Sequence, residues 1–145
     1  RKSAKKPHYF NYELMKRLNG NKQMTDVWHL PAIARWEKSC GKHPTQKPLN
    51  LLSRIILAST RPGDWILDPF TGSSTTGIAA NLLGRRFLGI DKEVDFMNIS
   101  KDRRQELSNP DIFSTYRSKI KDLAIVDKYS NDAVEEEIPS WDLPF

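Results

Sequence analysis

The chain has 145 residues, 38% of them hydrophobic, with 23 Lys/Arg against 18 Asp/Glu and a single Cys. That is the size of one domain with a real core, and one Cys excludes an internal disulfide framework and any multi-Cys zinc site. No apolar run approaches the roughly 20 residues that cross a bilayer, and no charged-then-apolar leader opens the sequence. Cys40 therefore reads as a reduced thiol in a cytoplasmic protein without membrane contact.

Charge is unevenly spread. Residues 1–47 carry 11 Lys/Arg and 3 Asp/Glu, residues 48–107 carry 8 and 7, and residues 108–145 carry 4 and 8. A basic front interleaved with His8, Tyr9, Phe10, Tyr12, Trp28 and Trp36 suits a phosphate backbone, because each neutralised phosphate releases counterions. It equally suits a solvated surface with a few core aromatics. The acidic end, with Glu135-Glu136-Glu137, reads as a solvated tail. The opening Arg1-Lys2-Ser3-Ala4-Lys5-Lys6 lacks Met and reads as the interior of a longer chain.

In chain order, a short helix is expected from about Tyr12 to Leu18, stopped by the turn signal Asn19-Gly20-Asn21. Asp26 to Leu30 could be a strand, closed by Pro31. Pro48 suits the first position of a helix. Leu49, Leu52, Ile55 and Ile56 form its apolar stripe, Asn50, Ser53 and Arg54 fall on the other side, and Pro62-Gly63 ends it. Trp65 to Leu67 reads as a buried strand. A Pro- and Gly-containing loop, Asp68 to Ser74, leads into a helix from about Thr75 to Leu83, with Gly84 as its left-handed stop. Arg86 to Ile90 is a second strand ending at Asp91. A third helix is expected from Glu93 to Leu107, with Phe96 and Ile99 on a face shortened by Arg103-Arg104, and Asn109-Pro110 breaks it.

Two strands joined by a helix-length crossover imply a parallel pair with a right-handed connection. Both strands are apolar throughout, as expected when helices cover both faces. The fold class is α/β, part of an open sheet whose remaining strands come from elsewhere.

Ligands in such sheets bind beyond the C-terminal strand ends. Asp68-Pro69-Phe70-Thr71-Gly72-Ser73-Ser74-Thr75-Thr76-Gly77 lies at that place. Gly72 permits close approach of a ligand to the backbone, and the helix entry at Thr75 favours negative charge. Asp91 follows Gly72 by 19 residues, near the spacing at which a carboxylate holds a ribose diol. The loop lacks the Gly-Lys-Ser/Thr of a Walker cradle and the Gly-x-Gly-x-x-Gly of a dinucleotide fold. Taken alone, it is as readily an ordinary strand-to-helix turn.

Two further stretches sharpen the reading. His43-Pro44-Thr45-Gln46-Lys47-Pro48 precedes the loop, and Gly84-Arg85-Arg86-Phe87-Leu88-Gly89-Ile90-Asp91 follows it. Together they resemble the C-terminal half of a beta-class DNA amino-methyltransferase of bacterial restriction–modification type. Upstream, Phe10-Asn11-Tyr12-Glu13-Leu14-Met15-Lys16 and Lys22-Gln23-Met24-Thr25-Asp26-Val27-Trp28 resemble the adenine-N6 enzymes. The resemblance covers about residues 8–107. It implies a partial Rossmann-like methyltransferase fold with S-adenosylmethionine (SAM) as cofactor. The end of a target-recognition region would occupy residues 1–42, the SAM-binding region 43–107, and an irregular extension 108–145.

Carried over by position, Phe70 packs near the cofactor and Asp91 accepts from its ribose. Asp68, Thr71, Gly72, Ser73, Ser74 and Thr75 approach the methionyl part, Thr45 closes the pocket, and Lys47 partners a carboxylate or phosphate. The family has Gly where Ser74 stands, so a Cβ there could crowd the cofactor. Cytosine-N4 methylation, or a non-catalytic remnant that binds SAM or nucleic acid, are the alternatives.

No catalytic residue is assigned. Methylating an exocyclic amine needs a flipped base and acceptors on its N–H groups, which the family places on an Asp/Asn/Ser-Pro-Pro-aromatic loop. No Pro-Pro occurs in this chain. The resemblance implies DNA, double- or single-stranded, as partner, with a missing N-terminal half or partner chain to complete the enzyme; a homodimer is a further arrangement. His8, His29, His43 and Cys40 match no zinc spacing, so no metal is expected.

Overall fold

The computed structural model describes residues 8–41 and 44–132. Among these the order is α1 (Tyr12–Leu18), a 3-10 turn (Arg35–Lys38), α2 (Leu49–Ser59), β1 (Trp65–Asp68), α3 (Thr75–Leu82), β2 (Arg86–Gly89), α4 (Val94–Glu106), α5 (Pro110–Lys119) and α6 (Lys121–Asp132). His43, the first residue of the His-Pro-Thr-Gln-Lys-Pro motif, and the acidic run Glu135 to Glu137 lie outside the described residues.

Asn11 caps α1 by accepting from the Leu14 N–H (3.2 Å), and its own N–H donates to the Ala58 carbonyl of α2 (2.8 Å). Met15 and Leu18 are thereby buried against the core. The strand expected over Asp26 to Leu30 does not form. Thr25 folds the segment on itself, its Oγ1 donating to the Val27 carbonyl (3.0 Å) and its carbonyl accepting from Trp28 Nε1 (2.7 Å). β-propensity alone makes no strand without a ladder partner.

α2 departs from the simple amphipathic pattern. Asn50, Ser53 and Arg54, expected on the solvent side, are buried. The reason lies in the C-terminal extension. Arg54 forms a two-pronged ion pair with Asp122 of α6 (2.7 and 2.8 Å), and Asn50 Oδ1 accepts from the Lys121 N–H (3.2 Å). Residues 110–132 are thus two packed helices, which corrects the expected irregular extension over that span. Asn109 accepts from the Asp111 and Ile112 N–H groups and Pro110 takes the first position of α5, so the dipeptide that ends one helix also starts the next. Tyr116, Ile120 and Leu123 complete the core.

β1 and β2 pair in parallel, with Ile66 opposite Phe87 and Asp68 opposite Gly89. α3 makes the crossover and buries Ile78, Ala79, Ala80 and Leu82. It ends as expected at Gly84 (φ 66°): the Arg85 N–H reaches the Ala80 carbonyl and the Gly84 N–H the Asn81 carbonyl, the Schellman arrangement.

The two strands are covered on one face only. Ile66 and Phe87 pack on the core, while Trp65, Leu67, Leu88 and Ile90 are between 52% and 67% exposed. The expectation of helices on both faces is met on one side. This is a partial Rossmann-like fold.

Candidate nucleotide-type cleft

β1 and β2 end side by side at Asp68 and Gly89, and the loop from Asp68 to Thr75 crosses that end, fastened at several points. Asp68 uses both carboxylate oxygens within it, accepting from the Phe70 N–H (3.1 Å) and from Thr76 Oγ1 (2.6 Å). The Thr71 N–H donates to the Ile90 carbonyl (2.9 Å). The Gly72 N–H, at a residue with φ 50°, donates to Asp91 Oδ2 (2.8 Å), while Asp91 Oδ1 accepts from the Glu93 N–H (3.0 Å). Both Asp91 oxygens thus face the loop and the start of the next helix, each accepting a backbone N–H.

Two adjoining cavities open around Phe70, which is 87% exposed. The smaller, about 170 Å³, is lined by Thr45, Gln46, Lys47, Leu52, Asp68, Phe70, Thr71, Gly72, Ser73, Thr75 and Thr76. The larger, about 500 Å³, is lined by Thr45, Pro69, Phe70, Gly72, Ile90, Asp91, Lys92, Glu93 and Phe96. Thr45, Phe70 and Gly72 belong to both. One compartment is therefore rich in hydroxyls and holds a Lys. The other carries a carboxylate and aromatic surface. Such a cleft suits an elongated ligand with a polar, charged end and a nucleoside end.

Nine of the ten residues singled out from the sequence meet here: Thr45, Lys47, Asp68, Phe70, Thr71, Gly72, Ser73 and Thr75 around the smaller cavity, and Asp91 in the larger. Ser74 lines neither cavity. It is fully buried, and its Oγ lies 2.4 Å from where a Cβ on Gly77 would stand, so its side chain backs the loop. Its φ of 60° lies in the left-handed region that glycine adopts far more readily than serine, so Gly would suit the position on backbone grounds.

Sequence reasoning missed Gln46, Leu52, Thr76, Phe96 and Arg103. Gln46 was within reach, since it sits inside the His-Pro-Thr-Gln-Lys-Pro motif. Its Nε2 donates to the Glu37 carbonyl (2.8 Å), and Glu37, itself buried, accepts from the Ala34 N–H (3.0 Å) and the Leu49 N–H (2.8 Å). Gln46 Oε1 and Thr71 Oγ1 are buried without a hydrogen-bond partner among the described residues. Both residues line the smaller cavity. Buried polar atoms are rarely left unpaired, so these two fit a site that takes a polar ligand.

The chain belongs to the DNA methylase family, whose model matches residues 1–102. The resemblance to restriction–modification amino-methyltransferases is borne out. Over 121 residues the chain is 58% identical to the Type II methyltransferase M2.MboI of Moraxella bovis, covering 83% of this chain and 44% of that protein. It is 60% identical to the Type II methyltransferase M2.DpnII of Streptococcus pneumoniae over 104 residues, 71% of this chain and 39% of that one. A crystal structure of an M1.HpyAVI–SAM complex superposes with a TM-score of 0.54 at 36% identity, covering 69% of this chain and 45% of the other. The chain thus spans less than half the length of these relatives.

Proposed function

We propose that this chain is the cofactor-binding part of a site-specific DNA adenine-N6 methyltransferase that uses SAM as methyl donor. The observation that carries the reading is the pair of joined cavities around Phe70, one with Asp91 and one with Lys47 and the hydroxyl run, in a member of the DNA methylase family. In this reading residues 43–107 form the SAM-binding region, residues 1–42 contribute to DNA contact, and the helices over residues 110–132 brace the core. Its place of work is beside DNA in the cytoplasm.

SAM, when bound, supplies a methyl group on an electron-poor sulfonium. The residues of this chain bind and orient it. Asp91 accepts from the ribose hydroxyls. Phe70 and Phe96 offer aromatic surface to the adenine. Lys47, Ser73, Thr75 and the first-turn N–H groups of α3 favour the carboxylate, and Gln46 Oε1 accepts from the ammonium. Asp68, Thr71 and Gly72 hold the loop beside the methionyl part, and Thr45 bridges the two compartments.

The groups that hold the target amine come from a second segment, on the same polypeptide or another, because no Pro-Pro-aromatic loop occurs here. The test is tritiated-methyl transfer to unmethylated DNA, with and without a polypeptide carrying that loop, followed by nucleoside analysis. No transfer is expected from this chain alone, and label in N6-methyladenine when the segment is supplied. Label in N4-methylcytosine would refute the adenine assignment. No transfer in either case would favour a non-catalytic remnant.

A further inference from the structure

Arg103 is the largest fully buried side chain, 2% exposed, although its place near the end of α4 reads as solvated in the sequence. Its Nη1 donates to the Ser73 carbonyl (2.5 Å), to Ser73 Oγ (3.2 Å) and to Thr75 Oγ1 (3.3 Å). None of the ion pairs among the described residues involves it. Burying a guanidinium without a paired carboxylate is costly, and desolvation pulls its pKa below the usual arginine value, an effect that the nearby Tyr116, Glu37, Cys40 and Glu106 oppose. All three acceptors lie on the one segment that joins Gly72 to α3 and walls the smaller cavity.

The chemistry of the contacts has a direction. A guanidinium only donates, so both hydroxyls accept from Arg103 and each keeps its own proton to give elsewhere. A wall of hydroxyls held as donors, with a positive charge directly behind it, selects an anionic acceptor. We infer that Arg103 is a positioning residue that holds Ser73 and Thr75 as donors and so makes the smaller cavity the seat of the ligand's carboxylate. This rests on the SAM reading and on the orientation given there, and adds the buried group that sets that orientation.

The test compares SAM with decarboxylated SAM, which keeps the sulfonium and the ammonium and lacks only the carboxylate. Affinities are measured by calorimetry for the chain as it stands, for Arg103→Met, for Arg103→Lys and for Thr75→Val. The unaltered chain should bind SAM at least tenfold more tightly than the decarboxylated form. Arg103→Met should remove most of that preference while leaving affinity for decarboxylated SAM within about twofold, and Arg103→Lys should restore part of it. Thr75→Val, which leaves the buried charge in place, should show a smaller loss of the same kind, so the inference stays testable if Arg103→Met unfolds. Equal losses for both ligands would mark Arg103 as a merely structural brace and overturn the inference, as would no change for either. If the unaltered chain bound SAM without preferring it, the orientation would be wrong with the cofactor reading intact. If it bound neither ligand, both would fall.

Discussion

At the scale of single residues, Ser74 and Cys40 show how position overrides type. A non-glycine residue in the left-handed region costs about 1–2 kcal/mol, and the buried, unpartnered Ser74 Oγ adds a desolvation cost of about 1 kcal/mol. Glycine returns about 0.5–1 kcal/mol of that through its greater freedom in the unfolded chain. Ser74→Gly should therefore raise stability by about 1–2 kcal/mol in urea unfolding. Because the side chain faces Gly77 and not the cleft, SAM affinity should stay within about twofold; a tenfold gain would show that the Cβ does crowd the cofactor. The Cys40 thiol is pushed up to about 11, first by burial and then by its hydrogen bond to Glu106. Both disfavour the thiolate, so the thiol stays protonated through neutral pH. Alkylation by iodoacetamide at pH 8 should be one to two orders of magnitude slower than for a free cysteine and should climb until about pH 11. A plateau near pH 9 would contradict this. Arg103 belongs at this scale too: nothing in an Arg-Arg pair near the end of a helix announces which one turns inward.

At the scale of elements, patterns governed by local chemistry were legible and patterns governed by partners were not. α1, α3 and its Gly84 stop, both strands and α4 follow from periodicity and punctuation. The loop, with nine of the ten residues singled out lining the cleft, was readable because strand ends and a glycine turn fix where such a cleft opens. The failures share one cause. Asp26 to Leu30 looks like a strand but has no neighbour to pair with, and the polar side of α2 looks exposed until α6 covers it. The extension looked like a tail because its outermost charges dominate its composition, while Asp122 spends its charge on Arg54. That pair is 9% and 1% exposed at its side chains. Breaking a buried pair from one side costs about 3–5 kcal/mol. Asp122→Ala should lower the unfolding free energy by that amount and loosen α6, seen as lost amide-exchange protection over 121–129. A loss under 1 kcal/mol would show that α6 is a passive cover.

At the scale of the whole molecule, the uncovered side of the sheet and the missing Pro-Pro loop point the same way. Parallel strands are stable when both faces are covered, and here Trp65, Leu67, Leu88 and Ile90 stand open in a chain that spans less than half of its relatives' length. In the function proposed above, a further segment supplies the amine-holding loop. The cleft lies at the strand ends and is lined by described residues of this chain, so it should take the donor without that segment. A crystal structure of the chain grown with saturating SAM tests this most directly. The ribose hydroxyls should lie on the Asp91 carboxylate and the methionyl carboxylate between Lys47 and the Ser73–Thr75 segment. A donor lying with its sugar away from Asp91, or no donor in the cleft, would contradict it.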